Sequence, residues 1–304
     1  MKTSFDVKAI SLAEPAARET PGVVRARHPH FSASALNAYA ECERKWFYRY
    51  VCAAVEDPGS AASTYGTAFH LALERFHDRH HRPQPGDTSA MQRDLAHEIE
   101  AAFAENRSGF PTAVEFEMQR RRALRTARRY VSWLAAEAAR APFTVIGREV
   151  PAQLDLEGFA FIGFIDRLDR DERSGTVSVV DYKTGKIAES AQEYRELVRE
   201  FGDFQLAFYY WVRTAAGDRV QRLVLLPLKD ALLDVRPVSL EVGESITVAE
   251  LERAKRRMVE ICTLLTSKEP RSFGVTEDPG ACEYCAYTFA CAKRPPPDGE
   301  RFGR

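Results

Sequence analysis

The 304-residue chain has no run of about 18 apolar residues, the length that a membrane-spanning helix requires. Its opening segment, MKTSFDVKAISLAEPAARET, lacks the apolar core of a secretory signal. Neither sign of charge is in excess, because 43 Lys and Arg residues oppose 44 Asp and Glu residues and the formal net charge is −1. The sequence therefore predicts a cytoplasmic protein with no membrane partner, in which nucleic-acid binding would have to come from local basic patches.

Several sequence motifs of catalysis are also missing. The chain has no G-x-x-x-x-G-K-[ST] phosphate loop, so it carries no nucleotide-driven motor of its own. It contains neither G-x-S-x-G nor H-E-x-x-H, so no nucleophile motif supports an unrelated hydrolase site. Glycine and proline are modest at 17 and 16 residues, and 45% of the residues are hydrophobic. This composition excludes collagen-like and wholly disordered chains and indicates a folded protein.

Hydrophobic periodicity divides the chain into helices and strands. Helical spacing predicts helices at residues 34–50, 63–79, 89–141 with an interruption near 109–111, 205–214 and 247–265. Short runs rich in β-branched and aromatic residues predict strands near 143–150, 159–169, 176–183 and 220–228. Helices followed by strands and again by helices indicate a mixed sheet flanked by helical layers.

The two ends of the chain differ from its body. Residues 1–30 mix Pro, Arg, Glu and Ala without a period, and residues 295–304 are polar and rich in Pro. We expect a flexible arm over 1–30 and a flexible tail over 295–304. One folded domain is predicted over 31–294, with a helical insertion at about 82–142.

A predicted hairpin over residues 163–185 is the most informative segment. A turn centred after Arg173 puts Asp166 opposite Asp181, with β-carbons about 5 Å apart. Two like charges in this position destabilise the pair unless a cation lies between them, and a divalent metal is the obvious cation. Lys183 lies two residues beyond Asp181 and so shares its face of the strand, which we expect to include Phe164, Leu168 and Val179 as well.

These three groups point to one kind of chemistry. Carboxylate ligands with open positions suit Mg²⁺ or Mn²⁺, and a nearby ammonium can hold or help deprotonate a water molecule and neutralise a phosphate. The arrangement predicts metal-assisted phosphodiester hydrolysis. The alternative is an ordinary hairpin with aspartates at its strand ends and a surface lysine, and spacing alone favours this alternative because D-x-K is common.

A basic face occurs on the long predicted helix before the strands. Its five arginines lie opposite the apolar stripe: Arg121, Arg122, Arg125, Arg128 and Arg129. A solvated helix surface and a track for phosphates are equally good interpretations of this pattern.

The cysteines form a closing group and three outliers. The closing group is Cys282, Cys285 and Cys291, with the spacing C-x2-C-x5-C. A metal site needs a fourth thiolate, for which Cys42 is the candidate, and the spacing fits Zn²⁺ and an iron–sulfur cluster equally well. Cys52 and Cys262 are interpreted as packed free cysteines.

Ordered motifs carry a resemblance to a known family. They are SASAL at 32–36 with Cys42, GTAFH at 66–70, GFIDR at 163–167, VVDYKTG at 179–185, QLAFY at 205–209 and the closing cysteines. Through these motifs most of residues 31–294 resembles the RecB-like branch of the PD-(D/E)XK nuclease superfamily. The resemblance implies an α/β (α+β) fold with a restriction-endonuclease-like core, a mixed central sheet flanked by helices, an N-terminal helical region and a C-terminal cysteine-cluster segment.

The resemblance also implies roles for individual residues. The implied ligands of Mg²⁺ or Mn²⁺ are His70, Asp166, Asp181 and the carbonyl oxygen of Tyr182. Lys183 would be the catalytic lysine. Asp181 occupies a position where many relatives have Glu, and Asp is an accepted variant there. Gln205 and Tyr209, one helical turn apart, would orient the active site or the DNA strand.

Three further polar residues have two interpretations each. Glu74 and His77 follow His70 at helical spacing, which fits a zinc site, but a solvated polar face is the preferred interpretation. Glu149, at a predicted strand, is either an extra acidic ligand or a surface glutamate, and the surface glutamate is preferred.

The resemblance extends to the cysteines and to the function. One N-terminal cysteine and a C-terminal triad look like the iron–sulfur subgroup, which includes the AddAB nuclease subunit and the CRISPR-associated exonucleases. They imply a [4Fe-4S] cluster on Cys42, Cys282, Cys285 and Cys291 that clasps the chain ends. We therefore expect a DNA exonuclease, acting on single-stranded DNA in repair or recombination, with a separate helicase if it processes duplex ends. The alternatives are a CRISPR-adaptation nuclease that trims spacers beside an integrase subunit, or a non-catalytic iron–sulfur nucleic-acid-binding module.

Overall fold

The computed structural model describes residues 30–54, 61–185, 187–229, 231–267, 272–283 and 285–291. The predicted flexible arm, apart from His30, and the predicted tail at 295–304 lie outside these residues. Within the described part of the chain, no helix is both long and apolar enough to cross a membrane.

A five-stranded mixed sheet forms the centre of the fold. Its strands are β1 (Phe143–Leu156), β2 (Phe159–Asp171), β3 (Val177–Lys183), β4 (Val220–Pro227) and β5 (Val238–Glu241). They lie side by side in chain order, with β3 and β4 parallel and the other neighbours antiparallel. The predicted mixed central sheet is confirmed.

Helices precede and follow the first three strands. Before the sheet lie α1 (Ala33–Glu41), α2 (Glu43–Trp46), a π-helical turn (Phe47–Val51), α3 (Ala61–Arg79), α4 (Thr88–Glu105) and α5 (Ala113–Arg140). After β3 lie α6 (Ala191–Arg199), α7 (Gln205–Ala215), α8 (Val248–Thr266) and the short α9 (Gly280–Glu283). Short 3₁₀ turns at Pro85–Asp87 and Arg107–Gly109 connect α3, α4 and α5.

Alternating residues of the central strands point into two separate cores. Val179 of β3 and Leu225 of β4 pack with α1, α6, α7 and α8. Val180 and Tyr182 of β3, with Leu226 of β4, pack instead with α3, α4 and α5. Because successive side chains of a strand point to opposite faces, each face of the sheet is covered by its own helical layer. The predicted α/β class with flanking helices is confirmed.

The element boundaries agree with the sequence in most places and differ in a few. The predicted helix at 34–50 is divided at Cys42, where the backbone is extended (φ −163°, ψ 115°). The predicted strand at 143–150 continues to residue 156, although Pro151 lies inside it. Pro151 cannot donate a backbone hydrogen bond, but β1 is an edge strand, where proline is tolerated. The helices α6 and α9 and the strand β5 were not predicted.

A buried ion pair lies between the sheet and the α3–α5 layer. Arg167 is 1% exposed, and its Nη2 donates to Asp169 Oδ2 at 2.8 Å. Its Nη1 donates to the hydroxyls of Tyr130 at 2.5 Å and Tyr182 at 3.3 Å. Burial raises the pKa of Asp169, whereas the adjacent guanidinium of Arg167 opposes this rise. The pair is therefore neutralised internally, and both of its members are buried.

We predict that Asp169→Asn lowers the free energy of unfolding by about 3–5 kcal/mol, because it leaves the buried charge of Arg167 uncompensated. Urea unfolding measures this change. The control is Glu105→Gln, which breaks the exposed Arg75–Glu105 ion pair (2.7 Å) and should leave the urea midpoint nearly unchanged. Equal effects of the two substitutions would contradict the prediction.

Candidate active site

The site begins where β2 and β3 separate. Their antiparallel pairing runs from Arg170↔Val177 to Arg167↔Val180, which confirms the register predicted from a turn centred after Arg173. One residue further, the backbone N–H of Tyr182 donates to Asp166 Oδ2 at 2.5 Å. The Asp166 carboxylate thus accepts the hydrogen bond that a strand partner would otherwise accept. It lies beside the backbone of Tyr182, the residue that follows Asp181.

A second group of ligand atoms collects around Asp166. His70, on α3, has its Nδ1 3.5 Å from Asp166 Oδ1 and 3.7 Å from Glu149 Oε1. One ligand atom from each of these three residues lies within 4.8 Å of the other two. The His70 ring also packs edge-on against the Tyr182 ring, with centroids 5.5 Å apart. One imidazole nitrogen and two carboxylates form a donor set that could hold a divalent metal ion.

Glu149 enters the site through a local irregularity in the β1–β2 pair. The flanking pairs are Arg148↔Arg167 and Val150↔Ile165, so Glu149 is opposite Asp166. Its φ is +43°, in the left-handed region that non-glycine residues seldom adopt. The preferred interpretation of Glu149 as a surface glutamate is therefore wrong, and its position agrees with the alternative of an extra acidic ligand.

The same irregularity changes which residues of β2 share a face. Ile165 and Leu168 belong to one core although they are three residues apart, whereas strict alternation would put them on opposite faces. Phe164, which we expected on the face of Leu168 and Val179, is 59% exposed and lines the cleft beside His70. That part of the predicted face is wrong.

Lys183 begins a chain of polar contacts that crosses to α7. Its Nζ is 2.6 Å from Asp181 Oδ2 and donates to Gln205 Oε1 at 2.7 Å. Gln205 Nε2 donates to the Tyr209 hydroxyl at 3.0 Å, and this hydroxyl donates to the carbonyl oxygen of Phe164 at 2.5 Å. The two α7 residues thus share one face, as their spacing indicated, and connect β3 to β2.

Burial dominates the electrostatics of Asp181. The residue is 1% exposed, and burial raises its pKa to about 7. The Lys183 ammonium opposes the rise, and the neighbouring Asp166 adds to it. Oδ2 approaches the ammonium at 2.6 Å yet has no hydrogen bond of acceptable geometry among the described residues. Asp181 is therefore a buried carboxylate whose charge is only partly compensated.

Two cationic side chains, His70 and Lys183, lie beside these carboxylates. Burial alone would lower the pKa of His70, but its contacts with Asp166 and Glu149 outweigh burial and raise the pKa to about 10. Burial alone would likewise lower the pKa of Lys183, but Asp181 and other nearby carboxylates raise it. Without a metal, His70 is thus an imidazolium among carboxylates, and a metal ion must displace its proton because only neutral imidazole is a ligand.

The predicted ligand set is only partly assembled in one group. His70 and Asp166 come together with Glu149, whereas the Asp181 carboxylate faces Lys183 outside this group. Tyr182 adjoins the group through its backbone N–H, and its side chain is buried in the core beside α3, where its ring contacts the His70 ring. The role of the Tyr182 carbonyl oxygen stays a prediction.

The neighbours of His70 on α3 differ from each other. Glu74 lines the same cleft as His70. His77 is 1% exposed, and its Nε2 lies 2.5 Å from the Tyr130 hydroxyl. Burial, reinforced by the charge of Arg167, lowers the pKa of His77 well below its usual value. A solvated polar face is therefore wrong for His77, which belongs to the core.

The four cysteines of the predicted cluster line one cavity. These are Cys42, Cys282, Cys285 and Cys291. The Tyr48 hydroxyl donates to the carbonyl oxygen of Ala290 at 2.7 Å and joins the N-terminal helical region to the last described segment. No three of the four sulfur atoms all lie within 4.8 Å of one another. Cys262 is buried as expected, but Cys52 is exposed, so the prediction that Cys52 packs in the interior is wrong.

The arginine face of α5 is largely engaged with protein groups. Arg121 pairs with Glu117, and Arg122 donates to the carbonyl oxygen of Lys229. Arg129 donates to the carbonyl oxygen of Ala231 at 3.1 Å, and it also pairs with Asp234. These contacts hold the segment after β4. Arg122 and Arg125 also line an open groove with Lys229, which is the part of the face that stays compatible with phosphate binding.

The family model of the PD-(D/E)XK nuclease superfamily matches residues 30–292, a span that contains every residue of the site. The chain belongs to the PD-(D/E)XK nuclease superfamily. Asp181 and Lys183 have the D-x-K spacing that the superfamily name describes. Members of this superfamily use divalent metal ions, and membership implies a nucleic-acid substrate.

Other comparisons give more distant likenesses. Among curated proteins, none matches the chain. A solved structure described as a "Putative exonuclease" from Eubacterium rectale is 13% identical, with a TM-score of 0.47, and the match covers 92% of this chain and 93% of the other. The crystal structure of SSO0001 is 10% identical, with a TM-score of 0.34, over 96% and 98% of the two chains. The assignment of this chain to the PD-(D/E)XK nuclease superfamily therefore depends on the match to the family model.

The raised pKa of Asp181 predicts how the metal-free stability depends on pH. A carboxyl group whose pKa is raised to about 7 in the folded protein stays protonated at pH values where the unfolded chain has already lost that proton. This stabilises the fold below pH 4, and the contribution is lost as the pH rises to 7. In EDTA, the free energy of unfolding of the wild type, measured with urea, should therefore fall over this pH window relative to that of Asp181→Asn. Parallel pH profiles of the two proteins would contradict the assigned shift.

Proposed function

We propose that this PD-(D/E)XK nuclease is a metal-dependent DNA exonuclease of the RecB-like type that hydrolyses phosphodiester bonds of single-stranded DNA. The proposal is supported by two groups of residues that lie close to the point where β2 and β3 separate. The His70–Glu149–Asp166 group can receive a metal ion, and the Asp181–Lys183 pair lies where β3 leaves β2. Carboxylates held close together destabilise the fold, but with a charged amine beside them they can bind a metal ion and act on a phosphate.

The donors present fit a hard divalent cation. Asp181 has a buried oxygen without a well-formed hydrogen bond, and protonated His70 already lies between carboxylates. We infer that His70, Glu149, Asp166 and Asp181 hold Mg²⁺ or Mn²⁺, with the Tyr182 carbonyl oxygen as a further ligand. When bound, the metal ion polarises the phosphate and lowers the pKa of a water molecule.

Lys183 has a defined part in this proposal. Its pKa is raised, so its Nζ stays protonated near neutral pH. A protonated amine cannot accept the proton of the attacking water, but it can donate a hydrogen bond to a phosphate oxygen and stabilise the negative charge that develops there. Gln205 and Tyr209 keep Nζ in position, because they connect it to the backbone of Phe164.

We further propose that Cys42, Cys282, Cys285 and Cys291 hold a [4Fe-4S] cluster. All four line one cavity, which supports a shared ligand. Four thiolates fit zinc and an iron–sulfur cluster equally well, and the resemblance to the iron–sulfur subgroup favours the cluster. Such a cluster would join distant parts of the chain and so would act mainly on stability.

The surroundings of the enzyme are inferred from the same motifs. A role in DNA repair or recombination in the cytoplasm fits the RecB-like resemblance, with a separate helicase because the chain has no phosphate loop. Trimming of CRISPR spacers beside an integrase subunit is the alternative within the same chemistry. A non-catalytic iron–sulfur binding module is less well supported, because a binding module has no use for the buried Asp181–Lys183 pair.

We predict that wild-type protein with Mn²⁺ degrades end-labelled single-stranded DNA, and that Asp181→Asn and Lys183→Met each reduce the rate by about 100-fold or more. Loss of a metal ligand or of the ammonium removes charge stabilisation from the transition state. Gel analysis with either end labelled measures both the rate and the polarity of digestion.

The matched control for this assay is Glu74→Gln, which changes a carboxylate that lines the same cleft but lies outside the three-residue ligand group. It should retain most of the activity. All variants should keep the wild-type circular dichroism spectrum. Equal activity in Asp181→Asn and the wild type would reject the proposed mechanism, and release of internal fragments from circular single-stranded DNA would reject the exonuclease assignment.

For the cluster, we predict that anaerobically purified protein is brown and contains about four iron atoms per chain. Cys285→Ala should lose this iron and melt at a lower temperature, because the chain ends are then no longer joined. Cys52→Ala changes an exposed cysteine outside the cavity and should keep the iron. Stoichiometric zinc in place of iron would overturn this part of the proposal.

A further inference from the structure

One face of the β1–β2 hairpin next to the candidate active site is not covered by helices. Along β1, Pro151 and Gln153 are exposed, and directly opposite them on β2 are Phe164 and Ile162. Phe164 is 59% exposed and Ile162 is 42% exposed. Phe161 and Ile165, which flank them, are buried, so Ile162 and Phe164 form an apolar strip on the exposed face of β2.

Phe164 is also a wall of the cleft that contains the proposed metal ligands. His70, Leu71 and Glu149 line the same cleft as Phe164. Phe164 precedes Asp166 by two residues, which corresponds to about 7 Å along a strand. A nucleic-acid strand with one phosphate at the proposed metal site would therefore have its neighbouring nucleotide against this ring.

The charge of the cleft indicates which part of that nucleotide Phe164 contacts. The described residues that line the cleft include no Lys or Arg, and they do include Glu74 and Glu149. These walls cannot attract the neighbouring phosphates, so the sugar–phosphate chain gains nothing by lying on them. An exposed aromatic ring instead offers its face to a base, and such stacking is tolerant of sequence.

The strip leads to a second, aromatic cavity. This cavity is lined by Phe31, Trp46, Tyr50 and Ile162, among other residues. Its walls are mainly aromatic, and aromatic rings can stack on a nucleobase.

We propose that Phe164 is a stacking platform for the unpaired base next to the scissile phosphate, and that the strip from Phe164 through Ile162 to the Trp46 cavity carries the bases that follow. The inference rests on the proposed nuclease function and assigns its preference for single-stranded DNA to a specific surface. In a duplex, the faces of the bases are already stacked and a base reaches such a surface only after costly unstacking. The platform therefore selects strands whose bases are free.

Binding of a labelled oligothymidylate in EDTA tests the platform without cleavage. Phe164→Ala should weaken binding about tenfold or more, whereas Phe164→Tyr keeps a stacking ring and should bind like the wild type. The salt dependence of binding should not change in Phe164→Ala, because no phosphate contact is lost. Val114→Ala, which shortens a 70% exposed apolar side chain on α5, is the matched control and should bind normally.

A single abasic position moved along the oligonucleotide identifies the base that Phe164 contacts. At one position the missing base should weaken binding to the wild type but not to Phe164→Ala, because the two changes remove the same contact. Wild-type affinity in Phe164→Ala, or losses from the two changes that simply add at every position, would overturn the platform.

The outcomes for the platform and for the nuclease are distinguishable. Digestion of single-stranded DNA by the wild type, with an unchanged KM in Phe164→Ala, would refute the platform and leave the nuclease function standing. Binding that depends on Phe164, in a protein that cleaves no DNA with Mn²⁺, would support the platform and refute the hydrolysis. Melting temperatures equal to that of the wild type would show that Phe164→Ala leaves the fold intact.

Discussion

The concentration of carboxylates where β2 and β3 separate is the constraint on which the site depends. Asp166, Asp181 and Glu149 lie near one another, and burial raises the pKa of Asp181 to about 7. Such an arrangement is unfavourable unless cations accompany it. Here the cations are the His70 imidazolium and the Lys183 ammonium, one from each side of the group. These two cations thus stabilise the metal-free site, and a divalent ion could bind there by displacing one proton from His70.

Sequence patterns predicted the fold class and most of the pairs that matter, because those patterns are local. The hairpin register followed from the position of one polar turn, and the shared face of Gln205 and Tyr209 followed from helical spacing. The helix predicted at 247–265 also formed, and a capping box of Thr247 and Glu250 begins it. The short helix α6 was missed because only Tyr194 and Val198 are buried along it, too few to reveal a period.

The errors at the site have a common physical origin in tertiary structure. Glu149 was expected at the surface because nothing local predicts its left-handed backbone or its contact with His70. Phe164 was expected to share a face with Leu168, but the alternation of β2 shifts between Ile165 and Leu168. His77 was expected in solvent because it follows His70 and Glu74 at helical spacing, yet it is buried against Tyr130 of α5 and Arg167 of β2. Irregular strands next to functional residues are common, and no periodicity reveals them.

The cysteine cavity and the candidate active site are connected by a short path of hydrogen bonds through α1. Cys42 follows the last residue of α1 directly, and Asn37 lies in the same helix. Asn37 Oδ1 accepts from the backbone N–H of Phe204 at 2.9 Å, and its Nδ2 donates to Asp203 Oδ1 at 3.0 Å. The same carboxylate oxygen of Asp203 accepts from the backbone N–H of Gln205 at 2.7 Å.

This path ends at the group that holds the amine, because the Gln205 side chain accepts from Lys183 Nζ. The position of Nζ therefore depends on how firmly α1 packs against the start of α7. If a cluster joins Cys42 to the C-terminal cysteines, then its loss would loosen α1 and with it the contacts that fix Gln205. A centre without any chemical step of its own would in this way still influence catalysis, through the geometry of one hydrogen bond to Lys183.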